Sequence, residues 1–318
     1  MRPGFWLWRR SLEAMVELGV ILPTMSRRDG RPGDIPAAAR QAEERGFESV
    51  WSVDQLVAGT GVPLLDSLTA LAAAAAVTQR VKLGVGVLIV PLRPVAWIAK
   101  QVATLQYLSG DRVLLGIGAG GDRHAGSWDA VGVPRRERGR RTDEALRRLP
   151  DLIAGKPAQL TADGEEITLS PGVTVPPIVI GGNSDAAARR AGQFGDEWFV
   201  LAGPDDIPRY QAMVAEQAAR YGRPAPAITT SVMVALDGDR TVPGRDAIIS
   251  LLTDPDGMFG VPAAQAPDAY LPGGPPTLAD HLGRLAEAGT HRAIIQFVAG
   301  DWSRQTDLAA EAWSQLDQ

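Results

Sequence analysis

The chain has 318 residues, of which 45% are hydrophobic and 22% charged, and this composition is typical of a globular protein rather than a disordered or fibrous one. The formal net charge of −5 argues against a general nucleic-acid-binding protein. Because the chain has no cysteine, disulfide scaffolds, thiolate metal sites and cysteine nucleophiles are excluded, and a reducing cytoplasm is the expected compartment. No apolar run is long enough to predict a membrane span.

The first segment with strand character begins directly after Met15. Residues 1–14 are therefore predicted to be an N-terminal extension, either disordered or preceding the true start at Met15. They contain arginines and aromatic residues but no apolar segment before a small-residue cleavage site, so a signal peptide is not predicted. Residues 15–318 are predicted to form a single domain.

From there to the end, short apolar runs alternate with longer amphipathic stretches. The predicted strands are 17–22, 48–53, 80–90, 111–118, 178–180, 198–201, 228–235 and 292–298. The predicted helices are 34–45, 64–76, 94–108, 137–154, 184–194, 205–221, 277–288 and 302–316. Eight strands, each followed by a helix, predict the α/β class and a (β/α)8 TIM barrel. The Pro- and Gly-rich stretch 236–276 breaks this rhythm and predicts an insertion or lid after the seventh strand.

In such a barrel the chemistry is expected at the carboxyl ends of the strands. Gly116, Gly118 and Gly121 fit the GxGxxG pattern at the end of the fourth strand. A dinucleotide site would need a helix to open there, but Gly126 and Pro134 follow and are unfavourable in helices. Two interpretations stay open: a glycine loop that lets a planar ligand or a phosphate approach the backbone, and a tight barrel turn.

The fifth strand gives a clearer phosphate signal. It ends in Gly181 and Gly182, and Asn183 and Ser184 then precede a helix. Free N–H groups at a helix start, together with these polar side chains, can bind an anion without any cation. Plain N-capping by Asn183 or Ser184 is the alternative, and the two roles are compatible.

Two further features allow both a functional and a structural interpretation. Asp54 ends the second strand, where a carboxylate could bind a ring hydroxyl or amine, or serve as a loop or capping residue. The five arginines of the PRRERGRR segment either form a solvated helix start or bind a polyanionic small molecule; they are residues 135, 136, 138, 140 and 141. Positive charge opposes the macrodipole at a helix N-terminus, which favours an anionic partner.

The sequence positions of the three histidines predict different roles for them. His124 follows the glycine loop and is the one histidine expected to act in acid–base catalysis. His281 falls in a predicted helix. His291 precedes the last strand, where it is expected to be exposed or capping. No metal-ligand motif is present, so no metal site is predicted.

Several segments resemble the bacterial luciferase-like flavin monooxygenase superfamily. They are GVILP, ERGFESVWSVDQ, TQRVKLGVGVLIVPLRPVAWIAKQVATLQYLSGDRVLLGIGAG and PPIVIGGNSDAAARRAGQFGDEWF. The resemblance runs from about Val16 to the end and is densest from Arg80 to Gly120. It implies a TIM barrel with an insertion after the seventh strand, and either FMN or the deazaflavin coenzyme F-420 as cofactor. It also implies that the cofactor ring lies at the barrel mouth, against a bulge in the third strand.

The resemblance assigns cofactor-binding roles to particular residues. A non-prolyl cis peptide is expected at Gly86–Val87, in the bulge. Asp54 is expected to contact the edge of the ring, and the loop from Gly181 to Ser184 to hold the phosphate. Ala119 and Gly120, in the glycine loop, complete the expected cofactor site.

Two departures from the family pattern bear on catalysis. Gln55 stands where the deazaflavin enzymes usually have a histidine, and Gly121 where the sugar-phosphate dehydrogenases have a glutamate. Gln55, the residue at the catalytic position, cannot exchange a proton at neutral pH. A different substrate is therefore expected, with protons handled by His124 or by substrate-bound water.

The arginine segment favours coenzyme F-420, because it could meet the oligoglutamate tail of that cofactor. The expected activity is then hydride transfer to or from a small organic substrate. With FMN, the expected activity is that of a two-component monooxygenase. The missing proton-handling groups also leave a non-catalytic flavin-binding protein as an alternative. By resemblance, a homodimer and a flavin or F-420 reductase that supplies reduced cofactor are expected partners, with no nucleic acid or membrane partner.

Overall fold

A computed structural model describes residues 16–27, 30–121, 125–161 and 163–316. The predictions made for residues 1–14 and for His124 lie outside these ranges. In the ranges described, no helix is long and apolar enough to cross a lipid bilayer.

The predicted (β/α)8 barrel is confirmed. Its strands are β1 (Glu17–Ile21), β2 (Ser49–Ser52), β3 (Lys82–Val85), β4 (Val113–Gly118), β5 (Ile178–Gly181), β6 (Glu197–Val200), β7 (Ala227–Leu236) and β8 (Arg292–Phe297). Consecutive strands pair in parallel, and β8 pairs with β1 to close the barrel. All eight carboxyl ends therefore meet at one rim, which we call the mouth.

Eight helices form the outer layer. They are α1 (Ile35–Glu44), α2 (Ser67–Ala75), α3 (Val95–Ser109), α4 (Arg138–Ile153), α5 (Asp185–Phe194), α6 (Ile207–Arg220), α7 (Pro275–Glu287) and α8 (Trp302–Leu316). Short polar side chains set several of their first turns. Asp34 accepts a hydrogen bond from the Ala37 amide at 3.0 Å, and Asp66 accepts one from the Thr69 amide at 2.9 Å. Each such cap is worth about 1 kcal/mol.

Smaller elements were not foreseen. They are a two-residue strand (Leu88–Ile89), a short helix (Ala125–Ala130), a hairpin of Ala158–Gln159 with Glu166–Ile167, and 3-10 turns at Val90–Leu92, Arg135–Glu137 and Ala266–Asp268. The third strand also differs from its prediction, because the run 80–90 is not continuous. The chain leaves the sheet after Val85 and resumes pairing with β4 at Leu88.

The insertion packs onto the mouth and has secondary structure of its own. It contains a helix, Arg245–Thr253, and a strand, Leu271–Gly273, that pairs in parallel with the end of β7. Its buried side chains form a small apolar core with Ala235 and Val298. The insertion is thus a folded layer over the barrel rather than a loose segment.

Charged residues close the opposite end of the barrel, which we call the base. Arg292 is 1% exposed and pairs with three carboxylates, those of Glu17, Glu48 and Glu197. Burial by itself would raise the pKa of Glu48, but the charge and hydrogen bonds of Arg292 outweigh it and lower the pKa to about 2. This cluster fastens β1, β6 and β8 together beneath the site.

Candidate active site

An aromatic floor lies inside the barrel below the mouth. The indole of Trp51, on β2, is fully buried and donates from Nε1 to Ser49 Oγ at 2.8 Å. The ring of Phe199 lies 6.3 Å away, centroid to centroid. A Cβ atom on Gly84 would lie 2.2 Å from the indole, so β3 can pass this close only as glycine. The backbone of β3 therefore packs directly on the floor.

The bulge follows at the top of this floor. The Gly86–Val87 peptide is cis, which confirms the bond predicted from the resemblance. Gly86 sits between the two aromatic rings, since its Cβ would lie 3.2 Å from Trp51 and 3.4 Å from Phe199. The bulge is therefore fixed against the aromatic floor at the centre of the mouth.

Glycines of the neighbouring strands make room for the side chain of Val87. A Cβ on Gly118 would lie 2.5 Å from one Val87 methyl group, and a Cβ on Gly181 would lie 2.8 Å from the other. Gly116 is even tighter, with its Cβ position 1.8 Å from the Val85 carbonyl oxygen. These distances show that packing against Val85 and Val87 requires glycine at these positions of β4 and β5. The predicted role of Gly181 in cofactor binding stays a prediction beside it.

Asp54 is buried at 5% exposure, and its carboxylate is fully engaged. Arg93 binds both of its oxygens at 2.7 Å, Ser67 Oγ donates to it at 3.0 Å, and the Ile89 amide donates at 2.8 Å. Burial alone would lower the pKa of Arg93, but these contacts with Asp54 raise it. Asp54 thus holds the chain just after the bulge in place, and its predicted contact with a cofactor ring stays a prediction.

The side-chain oxygen of the next residue, Gln55, is not hydrogen-bonded in the way that the Asp54 oxygens are. Its Oε1 atom is buried and accepts no hydrogen bond in the described part of the chain. The side chain lines two cavities at the mouth, and the smaller of them lies beside Gly120 and Trp128. A buried acceptor without a donor is costly, at about 1–3 kcal/mol, unless a ligand or water supplies one. The Oε1 atom of Gln55 can therefore accept a hydrogen bond from a ligand that enters the cavity.

The predicted phosphate loop is exposed at the mouth, but part of it is already used. The Asn183 amide donates to the Leu201 carbonyl at 2.9 Å and to the Tyr210 hydroxyl at 2.8 Å, and its oxygen accepts from the Leu201 amide. Asn183 therefore ties the loop to its neighbours. Ser184 caps α5, accepting from the Ala187 amide at 3.3 Å, and its hydroxyl hydrogen remains available to donate. Gly182 has a φ of +116° and turns the chain into the helix.

The glycine loop after β4 is described as far as Gly121. Gly120 has a φ of +78° and packs against Ile89 and Trp128. Contrary to expectation, a short helix does follow, Ala125–Ala130, and it includes Gly126. The burial of Trp128 at 4% exposure explains why this turn of helix is kept. A helix of six residues is still far shorter than the one a dinucleotide fold requires.

Part of the arginine segment is balanced locally. Arg140 and Arg141 both bind the carboxylate of Glu137, at 2.9 and 3.1 Å, and Arg140 also reaches Glu144. The hydrogen bond from Arg141 lowers the pKa of Glu137, with help from Arg140. These two arginines therefore fit a solvated helix start, and an anionic partner for the segment stays a prediction.

Two adjoining cavities open between the mouth and the insertion. The first, which we call the mouth cavity, has a volume of about 630 Å³ and extends from Gln55 to α7. The second, of about 680 Å³, lies between the β1 and β8 loops and the insertion. Both are lined by Met258 and Phe259, so insertion side chains stand between them. These volumes are in the range of small-ligand sites.

Several polar residues of the mouth cavity were not predicted as site residues, and Tyr270 and His281 are among them. His281 was predicted only to lie in a helix; it does lie in α7, and it lines the mouth cavity from there. Tyr270, in the insertion, lines the same cavity. No local motif marks either residue, because the insertion and the first turns of α7 bring them over the mouth. Among the described residues, no cluster of three or more potential metal ligands is found.

Comparisons with known proteins agree with this geometry. A profile of the luciferase-like monooxygenase family matches residues 16–311. An uncharacterized protein of Mycobacterium tuberculosis is 34% identical over 214 residues, which cover 65% of this chain and 72% of that protein. The F-420-dependent glucose-6-phosphate dehydrogenase of Beutenbergia cavernae is 34% identical over 181 residues, which cover 54% of this chain and 53% of the dehydrogenase.

A solved structure supports the fold over nearly the full length. It is that of an F-420-dependent secondary alcohol dehydrogenase in complex with an F-420–acetone adduct, and it has a TM-score of 0.76 and 20% sequence identity. The match covers 94% of this chain and 98% of the dehydrogenase. Since the family profile spans nearly the whole described chain, the protein belongs to the luciferase-like monooxygenase family and is an enzyme of its oxidoreductase and monooxygenase class.

Proposed function

We propose that the protein is a coenzyme F-420-dependent oxidoreductase that acts on a small organic substrate in the mouth cavity. The observation that carries the proposal is the buried Oε1 of Gln55, which accepts no hydrogen bond from the described residues and belongs to a side chain that lines the mouth cavity. Relatives named as F-420-dependent dehydrogenases favour the deazaflavin over FMN. The substrate is left open, because the match to those enzymes spans about half of their length.

The residues at the mouth fit such a cofactor. The ring of a deazaflavin carries N–H and O–H donors, which are the groups that the Gln55 oxygen lacks. The exposed loop at Gly182 and Ser184 precedes a helix start, where N–H groups attract a phosphate. Asp185, in the first turn of that helix, adds a negative charge, so the phosphate would rely on hydrogen bonds rather than on net charge.

When bound, coenzyme F-420 supplies hydride transfer, and the chain supplies position and polarity. Asp54 and Arg93 hold the segment after the bulge, so that Gln55 can present its oxygen without rearrangement. Gln55 itself moves no proton. A proton that joins or leaves the substrate therefore needs another group, and His124 stays a prediction for that role.

Cofactor binding tests the proposal directly. Purified protein is titrated with coenzyme F-420 and, separately, with FMN, and binding is followed by cofactor fluorescence. We expect saturable binding of F-420 and reduction of bound F-420 by a member of an alcohol panel, seen as loss of its visible absorbance. Binding of FMN with no binding of F-420 would refute the deazaflavin and leave the two-component monooxygenase.

The role of Gln55 has its own variant. Gln55→Met keeps the length of the side chain but removes the amide oxygen, so F-420 affinity should fall by about tenfold, the worth of one hydrogen bond in a buried site. The matched control is Gln101→Met on the exposed face of α3. Equal affinity of both variants and the unchanged protein would remove Gln55 from the cofactor site.

We also propose a homodimer and a partner reductase that supplies reduced cofactor. Sedimentation velocity measures the first. Pull-down with the immobilised protein from an F-420-producing lysate, followed by an assay for F-420 reduction, measures the second. A monomer at micromolar concentration would contradict the dimer.

A further inference from the structure

Tyr270 and His281 both line the mouth cavity, and we call the part of the lining that they contribute the polar corner. Tyr270 ends the loop before the strand Leu271–Gly273, and His281 lies in the second turn of α7. Most other lining side chains near them are apolar; they include Met25, Val53, Leu201, Met233, Met258, Phe259, Val261 and Leu271. A ligand that enters here therefore meets apolar walls and a small number of hydrogen-bonding groups, which is the usual make-up of a small-molecule site.

Both polar groups of this corner are available to a ligand. The Tyr270 residue is 6% exposed and its ring packs in the insertion core, so the ring is fixed. Within the described ranges, neither its hydroxyl nor the His281 imidazole makes a hydrogen bond to the protein. A fixed ring with an unused hydroxyl is typical of a binding contact, because buried phenols otherwise find a partner.

The charges around His281 favour a neutral ligand. Burial lowers the pKa of His281, the nearby Arg284 lowers it further, and Asp205 opposes them only in part. Arg284 is itself bound to Asp205 at 2.9 Å. The imidazole is then neutral near pH 7 and offers one donor and one acceptor. The charged side chain among the described lining residues is Asp268, an acid, and the lining includes no lysine or arginine.

We propose that Tyr270 and His281 are the specificity-determining residues of the active site, and that they bind the oxygen of a neutral alcohol or carbonyl compound with an apolar body. This inference rests on the proposed oxidoreductase function for its setting. A sugar phosphate would bring two negative charges to a corner that offers an acid and no cation. A neutral oxygen, in contrast, can accept from Tyr270 and accept from or donate to the imidazole.

NMR of the imidazole groups tests the inference without relying on turnover. The chain has three histidines, so the two-bond ¹H–¹⁵N spectrum is simple to assign with single variants. Cyclohexanone, a neutral carbonyl compound with an apolar ring, is titrated into the protein with and without coenzyme F-420. We expect saturable shifts of the His281 signals in at least one state and no shift of the His291 signals. Glucose 6-phosphate at the same concentration should leave His281 unchanged.

Two variants separate recognition from folding. Tyr270→Phe removes a single hydroxyl and His281→Phe removes both ring nitrogens, and each should raise the Kd for cyclohexanone at least fivefold. The matched control is Tyr107→Phe, in which an exposed phenol on α3 loses the same hydroxyl. Because the titration of the unchanged protein needs no variant, the inference stays testable if His281→Phe does not fold.

The outcomes distinguish this inference from the proposed function. No shift of His281 in either state, an unchanged Kd in both variants, or a response to glucose 6-phosphate equal to that of cyclohexanone would overturn it. The same samples are titrated with F-420 by fluorescence. If cyclohexanone shifts His281 while F-420 fails to bind, the neutral-ligand site stands and the cofactor assignment fails. If F-420 binds and cyclohexanone does not, the reverse holds.

Discussion

Replacing Arg292 with Met should destabilise the protein strongly, because it removes the one guanidinium at the centre of the base cluster. The Arg292 side chain is 1% exposed, and those of Glu17, Glu48 and Glu197 are 32%, 20% and 8% exposed. After the change, Lys82 still pairs with Glu48 at 2.6 Å, but Glu197 keeps the hydroxyl of Thr229 and, at 4.0 Å, the imidazole of His291, and neither replaces the guanidinium. A buried carboxylate that loses its partner costs about 3–5 kcal/mol, and we expect a loss of that size in the free energy of unfolding.

The loss should depend on pH in a defined direction. The pKa of Glu48 is lowered from 4.5 to about 2 in the folded protein, which corresponds to roughly 3 kcal/mol of stabilisation at neutral pH. Because the folded pKa is the lower one, this contribution is present above pH 4.5 and is lost as the pH falls toward 2. The difference in stability between the unchanged protein and Arg292→Met should therefore narrow by about 1 kcal/mol or more between pH 7 and pH 3.5.

Urea unfolding, followed by far-UV circular dichroism at the two pH values, measures both effects. The control is Arg140→Met, whose side chain is 64% exposed and should lose less than about 0.5 kcal/mol. A loss below 1 kcal/mol, or one that does not change between the two pH values, would refute the account of the cluster.

Three further substitutions probe the mouth. Gly118→Ala places a Cβ 2.5 Å from a Val87 methyl and should lower the free energy of unfolding in urea by about 1–3 kcal/mol. Adding Val87→Ala should restore part of this free energy, and no restoration would contradict a contact between residue 118 and Val87. Arg93→Met leaves the Asp54 carboxylate buried and should cost about 3–5 kcal/mol, with a smaller cost when it is combined with Asp54→Asn. Asn183→Ala breaks hydrogen bonds to the β6 loop and should lower the thermal midpoint by an amount equivalent to about 1–3 kcal/mol; an unchanged midpoint would show that the loop is held by other contacts.

The barrel itself was predictable because strand and helix periodicities repeat along the chain. The runs at 17–22 and 111–118 have no charged residue after Glu17 and Arg112, respectively, and became β1 and β4 nearly as predicted. The hairpin of Ala158–Gln159 with Glu166–Ile167 was missed, since two-residue strands carry no periodicity. The break in the run 80–90 was also invisible to periodicity. Only the resemblance to a family indicated the cis bond at Gly86–Val87.

The site was only partly predictable, because its partners are distant in sequence. Asp54 was correctly placed at the mouth, but its bidentate partner Arg93 lies 39 positions further along the chain and no motif joins them. Asn183 was interpreted as an anion ligand or an N-cap, and the structure gives the cap to Ser184. The bonds of the Asn183 amide to Leu201 and Tyr210 across two loops were not predicted, and its anion-binding role stays a prediction. His281 was correctly placed in a helix, but its position in the cavity lining was not predicted, because helix periodicity does not show what the insertion brings above the helix.

Asp54 and Gln55 differ in how many of their buried polar atoms are hydrogen-bonded within the protein. The two side chains are adjacent at the end of β2, yet both carboxylate oxygens of Asp54 accept hydrogen bonds, whereas Oε1 of Gln55 accepts none from the residues that the structure describes. A buried polar atom without a partner lowers stability, so its retention at the mouth is best explained by a ligand that completes it. Tyr270 and His281 line the same cavity, and within the described ranges their side chains likewise make no hydrogen bond to the protein. At the base of the barrel, where no ligand is expected, the charges are paired within the protein. Buried polar atoms without a described partner also occur away from the mouth, at Arg223 Nη1 and Thr290 Oγ1. The proposed site therefore rests on the presence of Gln55, Tyr270 and His281 in the lining of one cavity.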